Sequence, residues 1–297
     1  MKIAILGSRG RLGAALLRAW GAEGVTVPSI REVRGFARPA FDLLDPASID
    51  RCLDETEHFD WVVNCAANTN VDACERQTEE ARLANTVAVR RIAERCAKTG
   101  ARLIHVSTDY VFDGRQREPY AEDANPSPLS VYGQTKADGE VAALSALPST
   151  LVARVSWVFG PDKPSFVDML LSRALAQSSV AAVADKWSTP TYTEDLASWL
   201  GTLIAADAPG GIYHLCNSGE CTWREYGAHA IECARELGLP VKASDVAPLS
   251  LSDMEAFVAE RPVYTVLSTE HFQEVAQVTP RPWQDAVRDY IATYPPC

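Results

Sequence analysis

The chain has 297 residues, a formal net charge of -11 at pH 7, and 47% hydrophobic and 23% charged residues. These values are typical of a soluble globular protein, and the acidic balance argues against a nucleic-acid partner, whose phosphates require a basic surface. No apolar run is long enough to span a bilayer, and no small-residue cleavage site of a signal peptide follows "MKIAILGSRG". We therefore expect a cytoplasmic protein with no membrane partner.

The first half of the sequence alternates patterns of strands and helices. Short apolar runs predict strands at residues 2–6, 25–27, 60–67, 102–108 and 150–160. Asp45 with Pro46 has the residue types that start a helix, and further helices are predicted over residues 12–20 and 79–100 and around Tyr132. Continuously apolar strands that alternate with helices indicate the α/β class, here a Rossmann-type doubly wound parallel sheet. Such sheets bind ligands beyond the carboxyl ends of their strands.

The second half is less regular and predicts a smaller C-terminal α/β lobe. Thr222 and Glu225 have the spacing of a capping box at the start of a helix. We expect residues 1–160 to form a dinucleotide-binding Rossmann domain, to which part of 180–210 returns. Residues 161–297 then supply most of a discontinuous substrate-binding lobe.

The eight cysteines favour a reducing compartment. None forms a Cys-x-x-Cys pair, and the closest two, Cys216 and Cys221, have no second pair with which to form a zinc site. Several lie in apolar runs such as "VVNCAA". We expect reduced, buried thiols and find no residue cluster that demands a metal.

A glycine loop joins the first strand to the first helix. In "GSRGRLG", Gly7, Gly10 and Gly13 permit a tight turn, and the start of the following helix attracts a pyrophosphate. This G-x-x-G-x-x-G spacing is related to the dinucleotide fingerprint G-x-G-x-x-G. The alternative is a glycine-rich turn without a ligand, which the strand-turn-helix context disfavours.

Basic residues near this loop favour NADPH over NADH. An acidic residue at the end of the second strand would bind the ribose 2'-hydroxyl of NAD, but "PSIREVR" after residue 27 offers two arginines and one glutamate. Arg9 and Arg11 flank the loop itself. Arg9, Arg11 and Arg31 are therefore candidate ligands of a 2'-phosphate, unless they are only solvated surface groups, and NADH remains the alternative cofactor.

Three residues are placed to converge where a nicotinamide should lie. Thr108 ends the strand at 102–108, and in "VYGQTK" Tyr132 and Lys136 share one face of a helix because they are four residues apart. A free phenol has a pKa of about 10, too high for an efficient acid near neutrality. A nearby ammonium would lower that pKa, and the hydroxyl of Thr108 would hydrogen-bond a ketone oxygen as it gains charge. Alone, a Tyr-x-x-x-Lys pair is a weak motif.

In this order and spacing, "GSRGRLG", "STDYVFDG" and "VYGQTK" resemble the extended short-chain dehydrogenase/reductases, and most closely the dTDP-4-dehydrorhamnose reductases. The likeness continues through "VNCAANTNVDACE", "ARVSWVFG" and "RPVYTVLSTEHF" and covers nearly the whole chain. It implies a monomer or homodimer that reduces the C4 ketone of the nucleotide sugar dTDP-4-dehydro-L-rhamnose with NADPH or NADH. Thr108, Tyr132 and Lys136 match the catalytic residues of the family.

The resemblance also implies contacts with the ligands. The positions that match cofactor contacts are Gly10, Arg11 and Leu12 in the glycine loop, Asp42 and Leu43 near the adenine, and Ala66, Ala67, Asn68 and Thr69 at the end of the strand at 60–67. Trp157 matches a sugar-contacting position, and Asp109 lies beside the substrate. Lys163, Lys186 and Arg261 are candidate donors to the diphosphate, and surface ion pairs are their alternative role.

Three departures from the family pattern lie on the expected substrate side. "DKWSTPT" has Lys186 and Ser188 where the reductases usually have Gln and Gly, residues 263–265 replace an Asn and a Ser, and "PDKPSF" lacks an Asn. These departures leave open a 4-ketoreductase for another nucleotide-linked deoxysugar. A non-catalytic regulatory subunit of the same fold, such as that of methionine adenosyltransferase, is a further alternative, which the complete catalytic trio disfavours.

Overall fold

The computed structural model describes residues 1–21 and 30–295. In this part of the chain the strands are β1 Lys2–Leu6, β2 Glu32–Phe36, β3 Trp61–Asn64, β4 Arg102–Thr108, β5 Leu151–Val155, β6 Val158–Phe159, β7 Val180–Val183, β8 Trp187–Ser188, β9 Thr191–Tyr192, β10 Gly211–His214, β11 Cys221–Thr222 and β12 Val246–Leu249. The α-helices are α1 Arg11–Gly21, α2 Pro46–Cys52, α3 Val71–Arg76, α4 Thr78–Arg82, α5 Ala88–Thr99, α6 Val131–Ala146, α7 Phe166–Ala176, α8 Thr193–Ala205, α9 Trp223–Glu236, α10 Glu270–Ala276 and α11 Trp283–Thr293. A π-helical segment, Leu83–Val87, joins α4 to α5.

Six parallel strands form the central sheet in the spatial order β2-β1-β3-β4-β5-β10. The chain passes from β1 outward to β2 and then returns to the other side of β1 as β3, so the strand order reverses between β1 and β3. In doubly wound folds, the crevice beyond the carboxyl ends of the strands at such a reversal is the usual ligand site. The predicted α/β fold with a doubly wound parallel sheet is confirmed.

Helices cover both faces of this sheet. Ile3 and Ile5 of β1 pack into a core with α1, α8 and α10, while Ala4 and Leu6 pack on the opposite face with α2 and α5. Successive side chains of a strand point to opposite faces. Because both faces are covered, every one of these four residues is buried. This accounts for the continuously apolar strands in the sequence.

The second lobe is built around aromatic rings. Three two-stranded pairs, β7 with β12, β8 with β11 and β6 with β9, combine there with α7, α9 and α11. Phe159, Tyr192 and Tyr290 stack and meet edge to face with centroids 5.2 to 5.8 Å apart. Helix α9 begins with the predicted capping box, in which Thr222 N–H donates to Glu225 Oε2 (2.8 Å) and Glu225 N–H donates to Thr222 Oγ1 (3.1 Å). Helices α8 and α10 pack against the central sheet, and β10 pairs with β5.

Some predicted elements differ from the observed ones. The strand predicted at 25–27 lies outside the described residues, and the strand that pairs with β1 is Glu32–Phe36. The helix predicted over 79–100 is interrupted by the π-helical segment. The strand predicted at 150–160 is divided into β5 and β6, because Trp157 between them adopts a φ of 40° that no strand accommodates.

The described residues, 1–21 and 30–295, include seven cysteines, and all seven are free thiols. Six of them are buried and Cys65 is half-buried, and burial raises the pKa of Cys216 and Cys221 above the ordinary value of a thiol. No helix within these ranges combines the length and the apolar character that a membrane crossing needs.

Candidate active site

The glycine loop lies at the carboxyl end of β1, beside the reversal of strand order. Gly7 has a φ of 81°, and the N–H groups of Gly7 and Ser8 both donate to Phe36 O (2.9 and 3.0 Å). A Cβ on Gly13 would lie 2.4 Å from Gly7 O, so α1 can start this close to β1 only with a glycine there. The first bond of the helix ladder runs from Ala14 N–H to Gly10 O. The main-chain N–H groups of residues 11–13 come before this first helical hydrogen bond and suit an anionic pyrophosphate.

The loop after β3 forms the other wall of the crevice. A Cβ on Gly7 would lie 2.9 Å from Ala66 N, so the two loops are in contact. Asn85, in the π-helical segment, holds Asn68 with two hydrogen bonds: its Oδ1 accepts from Asn68 N–H (2.8 Å), and its Nδ2 donates to Asn68 O (3.0 Å). The π-helical segment therefore fixes residues 66–69, where the sequence predicts cofactor contacts.

Arg31, a predicted cofactor ligand, lies at the amino edge of the sheet. Strand β2 runs parallel to β1 with Lys2 opposite Glu32, so Arg31 lies just before the amino end of β2. Its N–H donates to Met1 O (2.8 Å). Cofactors of doubly wound sheets bind at the carboxyl ends of the strands, and Arg31 lies at the opposite edge.

Two other basic side chains occupy the carboxyl edge of β2. Arg38 follows the strand, and the guanidinium of Arg9 donates to Arg38 O (3.2 Å). Both side chains are exposed. Arg38 also pairs with Asp42 (2.9 Å), which the sequence predicts near the adenine together with Leu43. This edge therefore presents two guanidinium groups next to the expected adenosine position.

The side chain of Arg11 connects the glycine loop to the second lobe. Its guanidinium donates to three carbonyl oxygens, those of Val158 (3.0 Å), Lys163 (3.2 Å) and Pro164 (2.6 Å). These contacts hold the guanidinium at the second lobe, and its predicted contact with a 2'-phosphate stays a prediction. Its main-chain N–H, in the first turn of α1, still lies where a pyrophosphate would bind.

Close packing of α6 against the turn after β4 brings Tyr132 beside Thr108. A Cβ on Gly133 would lie 2.2 Å from Tyr110 O, so this approach requires glycine. The exposed fractions of Thr108, Tyr132 and Lys136 are 5%, 8% and 2%, and the hydroxyl of Thr108 is near enough to the phenol of Tyr132 to lower its pKa. The structure thus brings these two predicted residues together, with Lys136 one turn further along α6.

Burial controls the acidity of the Tyr132 phenol. It raises the pKa of Tyr132 above the ordinary value, the hydroxyl of Thr108 opposes this rise, and the nearby carboxylate of Asp109 adds to it. The sequence predicts instead that Lys136 lowers this pKa. In the structure the Lys136 amino group donates to Val106 O (2.6 Å).

Three hydroxyl groups hold the buried carboxylate of Asp109. Its Oδ2 accepts from Thr265 Oγ1 (2.5 Å) and Ser188 Oγ (3.2 Å), and its Oδ1 accepts from Thr108 Oγ1 (3.1 Å). Burial raises the pKa of Asp109, whereas the charge of Lys186 and these hydroxyls lower it. The carboxylate is 2% exposed and orients the hydroxyl of Thr108, and its position beside the substrate stays a prediction.

Two of the predicted diphosphate donors contact other groups of the protein. Lys186 is fully buried, and its Nζ donates to Pro262 O (2.5 Å). The guanidinium of Arg261 donates to both carboxylate oxygens of Asp72 (2.7 and 2.6 Å). Both cations thus have partners within the protein, and their role as diphosphate donors stays a prediction. Lys163, the third candidate, is exposed.

Trp157 lies in the second lobe against other aromatic rings. Its positive φ is strained for a bulky residue, and its ring centroid lies 5.6 Å from that of Trp223 and 6.4 Å from that of Tyr226. Within the described residues its buried Nε1 has no hydrogen-bond partner. A buried donor without an acceptor is unfavourable, so this N–H is available to a ligand, and the sugar contact stays a prediction.

Sequence reasoning missed several polar residues behind the site. Asn64 and His105 lie side by side on β3 and β4, with Nδ2 of Asn64 3.1 Å from Nδ1 of His105. Glu140 on α6 accepts from Ser107 Oγ (2.5 Å) and pairs with Arg154 (2.7 Å). A polar residue inside an apolar run could have indicated Asn64 in "VVNC" and His105 in "LIHVS".

The family described as RmlD substrate binding domain matches residues 1–295. The spore coat polysaccharide biosynthesis protein SpsK of Bacillus subtilis is 34% identical over 291 residues, 98% of this chain and 96% of that protein. A dTDP-4-dehydrorhamnose reductase of Mycolicibacterium smegmatis is 33% identical over 293 residues, 98% of this chain and 85% of the relative. A probable dTDP-4,6-dihydroxy-2-methyloxan-3-one 4-ketoreductase of Streptomyces antibioticus is 33% identical over 290 residues, 97% and 94% of the two chains.

Solved structures share the whole fold. The dTDP-4-dehydrorhamnose reductase of Bacillus anthracis in complex with NADP has a TM-score of 0.89 at 25% identity, over 98% of this chain and 99% of that one. The dTDP-4-dehydrorhamnose reductase of Clostridium acetobutylicum has a TM-score of 0.88 at 30% identity, over 99% of each chain. The similarity therefore includes both the sheet and the second lobe.

Proposed function

Because this chain belongs to the RmlD substrate binding domain family, we propose that it is an NADPH-dependent oxidoreductase that reduces the C4 ketone of dTDP-4-dehydro-L-rhamnose to give dTDP-L-rhamnose. One observation carries this proposal: the close packing of Gly133 on Tyr110 O brings Tyr132, in the first turn of α6, next to Thr108 at the carboxyl end of β4, beside the crevice that the glycine loop lines. A hydroxyl pair in that place suits the oxygen of a ketone whose carbon faces a nicotinamide.

The crevice fits NADPH. The glycine loop and the first turn of α1 suit the pyrophosphate. The exposed guanidinium groups of Arg9 and Arg38 lie at the edge where a 2'-phosphate of the adenosine would be bound. The Bacillus anthracis reductase, whose fold is the same, is in complex with NADP.

The reaction needs a hydride at C4 and a proton at the C4 oxygen. NADPH, when bound, supplies the hydride. Tyr132 gives its phenolic proton to the oxygen as the alkoxide develops, so one C–H bond and one O–H bond replace the carbonyl π bond. The hydroxyl of Thr108 turns from Asp109 to donate to the same oxygen, which exchanges one hydrogen bond for another. Burial of both groups strengthens their interaction with the developing charge.

A 4-ketoreductase for a different dTDP-linked deoxysugar is the second candidate. Ser188 and Thr265, which both donate to Asp109, occupy positions where this chain departs from the usual reductase pattern. The Streptomyces antibioticus 4-ketoreductase is as similar to this chain as the Mycolicibacterium smegmatis reductase is. Sequence identity therefore does not choose between the two sugars.

An assay of substrate-dependent NADPH oxidation tests the proposal. The purified protein is given dTDP-4-dehydro-L-rhamnose, or dTDP-4-dehydro-6-deoxy-D-glucose as the competing ketone, and the product is identified by mass spectrometry and NMR. We expect kcat/KM to be highest for the rhamnose precursor. A higher kcat/KM for the other ketone would favour the second candidate. No oxidation of NADPH with either would favour the non-catalytic alternative.

Replacement of Arg38 by alanine is expected to weaken NADPH binding by about tenfold and to leave NADH binding unchanged, because only NADPH carries the phosphate that pairs with a guanidinium. Fluorescence titration of both cofactors measures the effect. Arg31→Ala is the matched control, since Arg31 is also exposed but lies at the opposite edge of the sheet. Equal losses for NADPH and NADH in Arg38→Ala would contradict a 2'-phosphate site at this edge.

A further inference from the structure

A buried hydrogen-bond chain leads from the loop after β3 to the amino group of Lys136. Asn64 Oδ1 accepts from Ala66 N–H (3.1 Å), Asn64 Nδ2 lies 3.1 Å from His105 Nδ1, and His105 Nε2 lies 3.4 Å from Lys136 Nζ. The exposed fractions of Asn64, His105 and Lys136 are 1%, 0% and 2%. Polar side chains buried this deeply in a sheet are unfavourable unless hydrogen-bonded, and the hydride and proton transfers described above do not use Asn64 or His105.

The amide of Asn64 fixes the tautomer of His105. Because Oδ1 of Asn64 accepts the Ala66 N–H, Nδ2 faces the imidazole as a donor, and Nδ1 of His105 must accept. Burial lowers the pKa of His105 well below its ordinary value, so the ring is neutral and carries one N–H. That N–H is on Nε2, and it faces Lys136 Nζ.

This orientation distinguishes the two protonation states of Lys136. An ammonium has three N–H donors and no acceptor, so it cannot accept the His105 Nε2–H. An uncharged amine has a lone pair that can. Either form can donate to Val106 O, which lies 2.6 Å from Nζ, so of these two hydrogen-bond contacts only the one with His105 distinguishes the two forms.

We propose that Asn64 and His105 are positioning residues, which hold the amino group of Lys136 and stabilise its uncharged form. The proposal rests on the reductase function proposed above. After Tyr132 has given its proton to the ketone oxygen, the phenolate must be protonated again. A proton leaves Nζ of Lys136 and ends on the phenolate oxygen, and the lone pair left on Nζ accepts the His105 Nε2–H.

Other groups that face Lys136 act independently of this tautomer. Burial lowers the pKa of Lys136 to about 8, while Glu140 on the same helix and the thiol of Cys65 after β3 raise it. Arg154 of β5 neutralises Glu140 through an ion pair of 2.7 Å. A substitution of His105 leaves all of these groups in place, so it isolates the effect of the Nε2–H.

Titration of the lysine side chains by NMR tests the proposal without any turnover. The sequence has six lysines, so labelling with [ε-13C]lysine gives few signals. The signals of Lys136 and Lys186 are assigned from their disappearance in Lys136→Arg and Lys186→Arg. In His105→Leu we expect the midpoint of Lys136 to rise by about one pH unit, because the opposing N–H is gone. Lys186 is the internal control: burial also lowers its pKa to about 8, and its midpoint should not change.

An unchanged or lower midpoint for Lys136 in His105→Leu would overturn the proposal, since it would mean that the imidazole had supplied a lone pair to the ammonium. Asn64→Leu is the second variant and serves if the first does not fold. Without the amide donor, His105 can move its proton to Nδ1 and accept from the ammonium, so the Lys136 midpoint should again rise. If the protein is the proposed reductase, the limb of the pH profile of kcat that reports Lys136 should shift by the same number of pH units as its NMR midpoint. If the midpoint rises but the wild-type protein reduces no keto sugar, the positioning role stands and the proposed function fails.

Discussion

Replacement of Tyr132 by phenylalanine is expected to lower kcat for ketone reduction about a thousandfold, within the range of about 10² to 10⁴ that a positioned general acid contributes. The phenyl ring keeps the buried position of the phenol, which is 8% exposed, and its edge contact with Tyr110 at 5.7 Å. The variant should therefore fold normally and bind NADPH with unchanged affinity. Steady-state NADPH oxidation measures the loss, and fluorescence titration measures the binding.

Tyr110 provides a matched control for this experiment. It is a second phenol next to the first, and burial raises its pKa as well, but it is not part of the proposed catalytic trio. Tyr110→Phe should keep kcat within about threefold of the wild-type value. If Tyr132→Phe retained more than about a tenth of the wild-type kcat, or if the two variants lost activity equally, Tyr132 would not be the acid.

The elements nearest the proposed chemistry are also those that local sequence patterns predict well. The run at 102–108 is mainly apolar between Arg102 and its polar end, with His105 as the exception, and the observed β4 has the same bounds. A strand that is buried on both faces has a long apolar run, which is easily found in the sequence. Because ligands bind at the carboxyl ends of such strands, Thr108 is then predicted at the ligand-binding edge of the sheet. The helix with Tyr132 follows from its position after a Pro- and Ser-rich loop.

The second strand shows where this reasoning stops. Of the residues in β2, only Phe36 is buried, because the strand lies at the edge of the sheet. Its sequence, "EVRGF", therefore has no apolar run to find. The short apolar run at 25–27 is the stronger pattern, and a strand there predicts Arg31 beyond its carboxyl end. In the structure Arg31 precedes the amino end of β2.

The buried cations could not be predicted because their partners are distant in the sequence. Arg261 pairs with Asp72, 189 residues away, and Lys186 donates to Pro262 O, 76 residues away. A lysine or arginine read alone near a substrate block suggests a diphosphate ligand. Only the tertiary structure shows that its charge is already satisfied. The same holds for His105, whose neighbours Asn64 and Lys136 lie on another strand and on a helix.

Replacement of Glu140 by glutamine is expected to lower the free energy of unfolding by about 3 kcal/mol or more, because removal of one partner leaves the other charge buried without compensation. The side chain of Arg154 is fully buried and that of Glu140 is 3% exposed. The guanidinium donates to both carboxylate oxygens, through Nε (3.0 Å to Oε1) and Nη2 (2.7 Å to Oε2). Urea unfolding at pH 7, followed by tryptophan fluorescence, measures the change.

The remaining neighbours of Arg154 cannot replace the carboxylate. Nη1 lies 3.3 Å from Nε2 of His214, and burial together with the charge of Arg154 lowers the pKa of His214 to about 3. The imidazole is therefore neutral at pH 7 and offers only a lone pair. The face of Phe112, 5.1 Å from the guanidinium carbon, adds a weak cation–π attraction.

Two comparisons separate the effect of burial from the loss of a charge. Glu94→Gln removes the partner of Arg90 in a pair whose side chains are 68% and 54% exposed, and its effect on stability should be within experimental error because water replaces the lost contact. The double variant Glu140→Leu with Arg154→Met should recover most of the stability lost by Glu140→Gln, since neither buried charge remains. Glu140→Gln is expected to cost more than about 1 kcal/mol only if the carboxylate compensates the buried charge of Arg154, so a smaller loss would contradict this role. A double variant less stable than Glu140→Gln would contradict it too. In either case the packing of α6 on β5, and not the ion pair, would connect Glu140 with Arg154.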